Sequence, residues 1–102
     1  MKVSIVGTGY VGLVTGATLA DLGNQVVCLD IAEEKINILN SGKSPIYEPG
    51  LDKLIQQGLK AKNLKGSTEI KQNIRNSDIT FICVGTPSDK EGNIDLSYIK
   101  RS

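Results

Sequence analysis

With 102 residues, the chain is long enough for one domain with a modest hydrophobic core. Its 12 basic and 11 acidic residues give a net charge of +1, so no strong field favours nucleic acid or a membrane surface. The sequence has no histidine, no apolar stretch of membrane-spanning length and no signal peptide, so we expect a cytoplasmic protein without a metal site.

The first predicted element is a strand that leads into a glycine-rich turn. The apolar run Lys2–Val6 is followed directly by the spacing Gly-x-Gly-x-x-Gly, at Gly7, Gly9 and Gly12. Gly7 would permit the tight turn, Gly9 would let the backbone approach a pyrophosphate, and Gly12 would let the following helix lie close to the strand. The N–H groups at the helix start would then face the phosphates. Alone, the motif fits a structural turn equally well.

The second predicted strand ends in an acid. Gln25–Leu29 is an apolar, β-branched run, and Asp30 follows it eighteen positions after the last glycine of the motif. At this distance a carboxylate can accept hydrogen bonds from the hydroxyls of the adenosine ribose. Asp30 would repel a 2′-phosphate, and residues 31–32 supply no arginine to receive one. The pattern therefore favours NAD over NADP.

A short helix and a restricted loop are predicted next. Glu33–Asn40 is acidic in its first turn and is followed by Ser-Gly, which is typical of a helix. The residues alone explain Lys35 best as a solvated lysine, with a cation near the adenosine ribose or phosphate as the alternative. Residues 44–51 hold two prolines and a glycine around Tyr47 and Glu48, which predicts restricted backbone freedom.

Three further elements are predicted between residues 51 and 76. Leucine and isoleucine recur with helical spacing over residues 51–59, which indicates an amphipathic helix. Residues 65–68 are interpreted as a short third strand. Residues 69–76 are interpreted as a short helix, with Ser67 or Thr68 as its cap.

A fourth strand is predicted at residues 79–84, a continuous apolar run typical of a strand buried on both faces. Cys83 lies in this run and Cys28 lies in the second strand. Both are interpreted as small core residues rather than as a disulfide, because free cysteines are usually buried and a cytoplasmic disulfide is unusual.

The turn after the fourth strand contains Gly85, Thr86 and Pro87. Ligands bind outside the carboxyl ends of the strands in a doubly wound sheet, so we expect Thr86 beside the glycine loop, where it could hydrogen-bond the cofactor. A simple turn is the alternative. Asp95 is interpreted as the N-cap of a last helix that begins at Leu96.

The predicted element order is β-α-β-α-α-β-α-β with a final helix. Right-handed crossovers would wind it into an α/β fold, a truncated Rossmann-type doubly wound parallel sheet with strand order 3-2-1-4. The outer edge of the fourth strand would then be exposed, which predicts self-association into a homo-oligomer through this sheet edge.

Three sequence blocks together resemble one family. Residues 2–13 (KVSIVGTGYVGL), 44–51 (SPIYEPGL) and 84–88 (VGTPS) are similar to the N-terminal part of the UDP-glucose/GDP-mannose dehydrogenases, and the resemblance covers essentially the whole chain. The block at 44–51 looks most like the UDP-glucose 6-dehydrogenases, with GDP-mannose and UDP-N-acetylmannosamine dehydrogenases as close alternatives. The resemblance implies NAD contacts from Gly7, Gly9, Tyr10, Val11, Gly12, Asp30, Lys35 and Thr86. It gives no role to Tyr47 or Glu48.

The resemblance also implies a reaction. Members of this family oxidise the primary alcohol of a sugar nucleotide to a carboxylate, by two hydride transfers to NAD and through a thioester on a cysteine. Neither cysteine of this chain fits that role, so we expect the family's catalytic residues beyond residue 102. Residues 1–102 are then a partial NAD-binding domain that cannot turn over substrate alone, and a UDP-sugar would bind only in the full-length enzyme.

Two other functions share the glycine motif and the acid. A free-standing NAD-sensing regulatory module gives no reason for the blocks at 44–51 and 84–88. An FAD-binding half-site would be distinguished by a preference for FAD over NAD in calorimetry.

Overall fold

The computed structural model describes residues 1–44, residues 48–83 and a strand at 98–101. The elements in chain order are β1 (Lys2–Val6), α1 (Tyr10–Asp21), β2 (Gln25–Leu29), α2 (Glu33–Asn40), α3 (Leu51–Lys60), β3 (Leu64–Ser67), α4 (Ile70–Arg75), β4 (Ile79–Ile82) and β5 (Tyr98–Arg101).

These strands form a single sheet of order β3-β2-β1-β4-β5. The first four strands are parallel, as the pairings of β1 with β2 and β4 and of β2 with β3 show. The predicted Rossmann-type fold with strand order 3-2-1-4 is therefore confirmed. The predicted strands and helices in this region are also confirmed, with bounds that differ by one or two residues.

One face of the sheet carries the hydrophobic core. Alternate side chains of β1 and β2, such as Ile5 and Cys28, are buried under α1 and α3. Gly16 of α1 faces them so closely that a Cβ at this position would lie 2.9 Å from the Cys28 Sγ atom. Helix α1 ends at Asp21 with Leu22 as its C-cap residue, and Gly23 follows with a φ of +99° and an N–H that donates to the Ala20 carbonyl at 3.0 Å.

The opposite face meets α4 through polar contacts. The Ser4 hydroxyl donates to the Asn73 carbonyl at 3.1 Å and is also hydrogen-bonded to the Ser77 hydroxyl. In the run predicted to be buried on both faces, Thr80 and Cys83 are buried on opposite faces, whereas Ile79, Phe81 and Ile82 keep partial exposure, so the prediction is confirmed only in part. The helices on both faces make the sheet doubly wound.

Two local predictions are wrong. The predicted final helix is replaced at Tyr98–Arg101 by β5, which pairs antiparallel with β4. This pairing satisfies the backbone groups along the edge of β4 that was predicted to be exposed. At α4, the N-cap residue is Glu69 and no side chain caps the helix. The Ser67 hydroxyl accepts instead from the Glu69 N–H (3.0 Å), because a turn precedes the helix.

Within the described parts of the chain, no helix has the combination of length and apolarity that a membrane crossing requires.

Candidate functional site

The strand-to-helix turn after β1 is shaped by Gly7. Its φ of +106° lies in a region that L side chains rarely adopt, and its N–H donates to the Leu29 carbonyl at 2.7 Å. This hydrogen bond ties the turn to the end of the neighbouring strand. The carboxyl ends of β1 and β2 therefore meet at one corner of the sheet.

The other two glycines of the motif, Gly9 and Gly12, differ in how closely neighbouring atoms pack against them. A Cβ on Gly12 would lie 2.2 Å from the Gly7 carbonyl oxygen, so only glycine fits inside this tight loop. A Cβ on Gly9 would meet no atom of a described residue within 4 Å. Among the described residues, the turn is therefore closely packed on its inner side and open in front of Gly9, and none of their side chains fills the space beside Gly9.

Helix α1 presents its first N–H groups to this open space. The first intrahelical bond runs from the Leu13 N–H to the Gly9 carbonyl at 2.9 Å, so the amides of Tyr10, Val11 and Gly12 have no acceptor within the helix. No described side chain caps the helix, and its first turn contains no acid. Such a helix start carries partial positive charge and favours an anion. The Tyr10 side chain, 55% exposed, flanks it.

Asp30 lies at the same corner, bound to the glycine loop. Its Oδ2 atom accepts from the Thr8 hydroxyl at 2.7 Å and from the Thr8 N–H at 3.1 Å. Its Oδ1 atom accepts from the Ala32 N–H at 2.9 Å. The structure thus brings the carboxylate predicted to hold a ribose next to the amides predicted to hold phosphates.

These contacts favour the ionised form of Asp30. Partial burial alone would raise the pKa of its carboxyl group, but the hydrogen bonds from Ala32 and Thr8 and the charge of Lys35 outweigh that effect. The pKa therefore lies below its ordinary value, and the group is a carboxylate at neutral pH. Lys35 itself is exposed, in the first turn of α2.

Thr86 and Tyr47 fall outside the described residues. At the loop that holds Tyr47, the Ser44 N–H donates to the Asp52 Oδ1 atom at 2.7 Å, which joins the two ends of the loop.

Both cysteines are core residues, as predicted. Cys28 and Cys83 are buried and not joined in a disulfide. Burial raises the pKa of the Cys28 thiol to about 12 and also raises the pKa of Cys83. Neither thiol is therefore suited to act as a nucleophile.

Thr8 belongs to the corner but was not predicted from the sequence. Its side chain is 1% exposed, and it makes both of the contacts that tie Asp30 to the loop. The predicted topology already indicated that the residues just after β1 lie near Asp30. Parallel pairing in the observed register, which matches Val6 with Leu29, brings the residues that follow both strands to one edge of the sheet.

A cavity of about 330 Å³ lies away from this corner. Lys2, Gln25, Leu64 and Lys65 line it, so it lies at the amino ends of the parallel strands. Ligands of doubly wound sheets bind at the carboxyl ends, where the glycine loop is. Among the described residues, no group of three or more Cys, Asp or Glu side chains could hold a metal ion.

Comparison with known proteins points to one family. The model of the UDP-glucose/GDP-mannose dehydrogenase family, NAD binding domain, matches residues 1–102. This match includes the blocks at 44–51 and 84–88, which an NAD-sensing module leaves unexplained.

Individual relatives agree with this match. The chain is 49% identical to GDP-mannose 6-dehydrogenase of Pseudomonas aeruginosa over 98% of its own length and 23% of that protein. It is 50% identical to UDP-glucose 6-dehydrogenase TuaD of Bacillus subtilis over 97% of its length and 22% of that protein. A solved ternary complex of GDP-mannose dehydrogenase from Pseudomonas aeruginosa superposes with a TM-score of 0.85 at 48% identity, over 93% of this chain and 22% of that one. The chain thus spans less than a quarter of the length of these relatives.

Proposed function

Because the chain belongs to the UDP-glucose/GDP-mannose dehydrogenase family, where it matches the NAD-binding domain, we propose that it holds the NAD of a sugar-nucleotide dehydrogenase at the glycine-loop corner. The single observation that carries this site is the contact between Asp30 and the glycine loop. The Thr8 hydroxyl lies 2.7 Å from Asp30 Oδ2, so an acceptor for ribose and donors for phosphate share one corner.

Each part of the corner then has a role. The amides of Tyr10, Val11 and Gly12 donate to the pyrophosphate, and the open space at Gly9 admits it. The Asp30 carboxylate accepts from a hydroxyl of the adenosine ribose. Lys35, whose charge already acts on Asp30, lies on the adenosine side of the site. The family resemblance adds Thr86, which lies outside the described residues, as a further contact to the cofactor.

The same carboxylate selects NAD over NADP. Asp30 is ionised at neutral pH, and a 2′-phosphate on the ribose would bring a second negative charge against it. Among the described residues that follow β2, Ile31 (85% exposed) and Ala32 offer no positive group to offset that repulsion.

The substrate that we propose is a nucleotide-activated sugar, oxidised at its primary alcohol. Bound NAD would supply the hydride acceptor. Burial raises the pKa of both cysteine thiols, so neither serves as the nucleophile, and the role that we propose for this chain is to bind and orient the cofactor. The block at 44–51 supports UDP-glucose, whereas the identities of 49% and 50% favour neither GDP-mannose nor UDP-glucose. An enzyme carrying this domain, assayed with both sugar nucleotides, would decide between them.

The test of the site uses ADP, which carries the ribose and the diphosphate that this corner would bind. We expect Asp30→Asn to weaken ADP binding about tenfold or more in calorimetry, because a hydrogen bond to a charged group is lost. It should also reduce the preference for ADP over adenosine 2′,5′-bisphosphate.

The matched control is Asp21→Asn, an exposed acid at the far end of α1. It removes the same charge away from the corner and should bind ADP like the unmodified chain. Equal binding by Asp30→Asn and Asp21→Asn would contradict the proposed site.

A further inference from the structure

Thr8 stands in the glycine loop, yet its side chain turns away from the open space. It is 1% exposed, and its hydroxyl donates to Asp30 Oδ2 at 2.7 Å. Its own N–H donates to the same oxygen at 3.1 Å. One residue of the phosphate-facing loop therefore provides two of the three hydrogen bonds that Asp30 accepts.

These bonds restrict what Asp30 can offer to a ligand. A carboxylate has about four acceptor positions on its two oxygens. Thr8 occupies two on Oδ2, and the Ala32 N–H occupies one on Oδ1. No described residue donates to the fourth position, on Oδ1, so this position is available to a further donor.

The orientation of this remaining acceptor is set before any ligand arrives. Asp30 follows the last residue of β2, and a carboxylate at a strand end rotates about two side-chain bonds unless it is held. Holding both oxygens removes the cost of ordering the group on binding. It also favours the charged form, which accepts the stronger hydrogen bond.

We propose that Thr8 is the positioning residue of Asp30: its hydroxyl and amide fix the carboxylate so that Oδ1 receives one hydroxyl of the adenosine ribose. The inference rests on the proposed function and adds to it a residue that acts through another residue. Thr8 belongs to the cofactor site without a hydrogen bond from its side chain to the cofactor.

The test compares three threonine variants in ADP binding. Thr8→Val keeps the shape of the side chain and removes the hydroxyl donor, whereas Thr8→Ser keeps the donor. We expect Thr8→Val to weaken ADP binding about five- to tenfold, the worth of one hydrogen bond, and Thr8→Ser to restore it. Thr18→Val, at an exposed position of α1, is the matched control and should bind like the unmodified chain.

A double-mutant cycle separates positioning from a direct or purely structural role. If Thr8 acts through Asp30, Thr8→Val should have no further effect on ADP binding in an Asp30→Ala background. A loss of similar size in both backgrounds would overturn the proposal.

The pH dependence gives a second readout. The hydroxyl of Thr8 favours ionised Asp30, so its removal should raise the pKa of the carboxyl towards the ordinary value. On acidification, Thr8→Val should therefore lose ADP binding at a higher pH than the unmodified chain and Thr8→Ser. The chemical shift of the Asp30 carboxyl carbon, measured by NMR in the ligand-free chains, should show a higher titration midpoint in Thr8→Val than in the unmodified chain and in Thr8→Ser.

The outcomes distinguish this inference from the proposed function. If Asp30→Ala binds ADP like the unmodified chain, the proposed site is wrong. If Asp30→Ala weakens binding and Thr8→Val does not, at any pH, only the positioning role is wrong. Should valine prevent folding, Thr8→Ala removes the same donor without added bulk. Failure of both variants to fold would make Thr8 a structural residue and contradict its positioning role.

Discussion

At the residue scale, Gly9 and Gly12 belong to one motif but meet different constraints. Gly9 has open space in front of it, whereas Gly12 packs against the backbone of Gly7. The motif therefore contains one position that serves the ligand and one that serves the turn. Adding a methyl group at Gly9 should therefore affect ligand binding, whereas adding one at Gly12 should affect the stability of the fold.

We expect Gly12→Ala to lower the free energy of unfolding by about 2–3 kcal/mol, because a Cβ 2.2 Å from a backbone oxygen forces the loop to move. Gly9→Ala should change stability by less than about 1 kcal/mol and still weaken ADP binding, because its methyl group projects into the space proposed for the pyrophosphate. Urea denaturation and calorimetry on both variants measure these effects. Normal stability of Gly12→Ala, or normal ADP binding by Gly9→Ala, would contradict the assignment.

The sequence was enough to predict the position of Asp30 but not its partners. An acid directly after a parallel strand that neighbours β1 must lie near the glycine loop. The rotamer of Thr8 depends on packing that the motif does not encode. Its hydrogen bonds to Asp30 depend on this rotamer, so the sequence pattern does not predict them.

At the element scale, the distance between α1 and the sheet depends on small residues at their contact. Gly16 and Cys28 approach so closely that a Cβ at residue 16 would lie 2.9 Å from the Cys28 Sγ atom. Gly16 lies in the same helix as the N-terminal amides of the corner, so a change in the spacing here would also shift those amides. The packing thus links the core to the site.

We expect Gly16→Ala to destabilise the fold by about 1–3 kcal/mol through overpacking. Cys28→Ala removes the sulfur that the new methyl would meet, so the double variant should be destabilised by clearly less than the sum of the single effects. Chemical denaturation of the four chains measures the coupling. Additive effects would mean that the two residues do not set the distance between helix and strand.

Local sequence patterns predicted an element correctly where residues close in sequence determine the secondary structure. They failed where pairing with a strand elsewhere in the chain determines it. The periodicity of residues 51–59 was sufficient for α3, since one face of that helix is buried. The strand at Tyr98–Arg101 forms by pairing with the edge of β4, a long-range contact that a capping pattern at Asp95 does not reveal.

At the scale of the whole molecule, the order of the strands followed from general rules. Short parallel strands with right-handed crossovers allow few arrangements, and the observed order of the parallel strands, 3-2-1-4, places β1 beside β2 and so brings the glycine loop and Asp30 together. The described residues also form a cavity at the opposite ends of the parallel strands from the glycine-loop corner, lined by Lys2, Gln25 and Lys65.

The central claim is that the adenosine diphosphate part of NAD binds at the corner. The most direct measurement is an NMR titration of the isotopically labelled chain with ADP, with each backbone amide followed separately. Our account predicts that the largest shifts occur at Tyr10, Val11, Gly12 and Asp30. Largest shifts at Lys2, Gln25 and Lys65, or no shifts at the corner at saturating ADP, would contradict it.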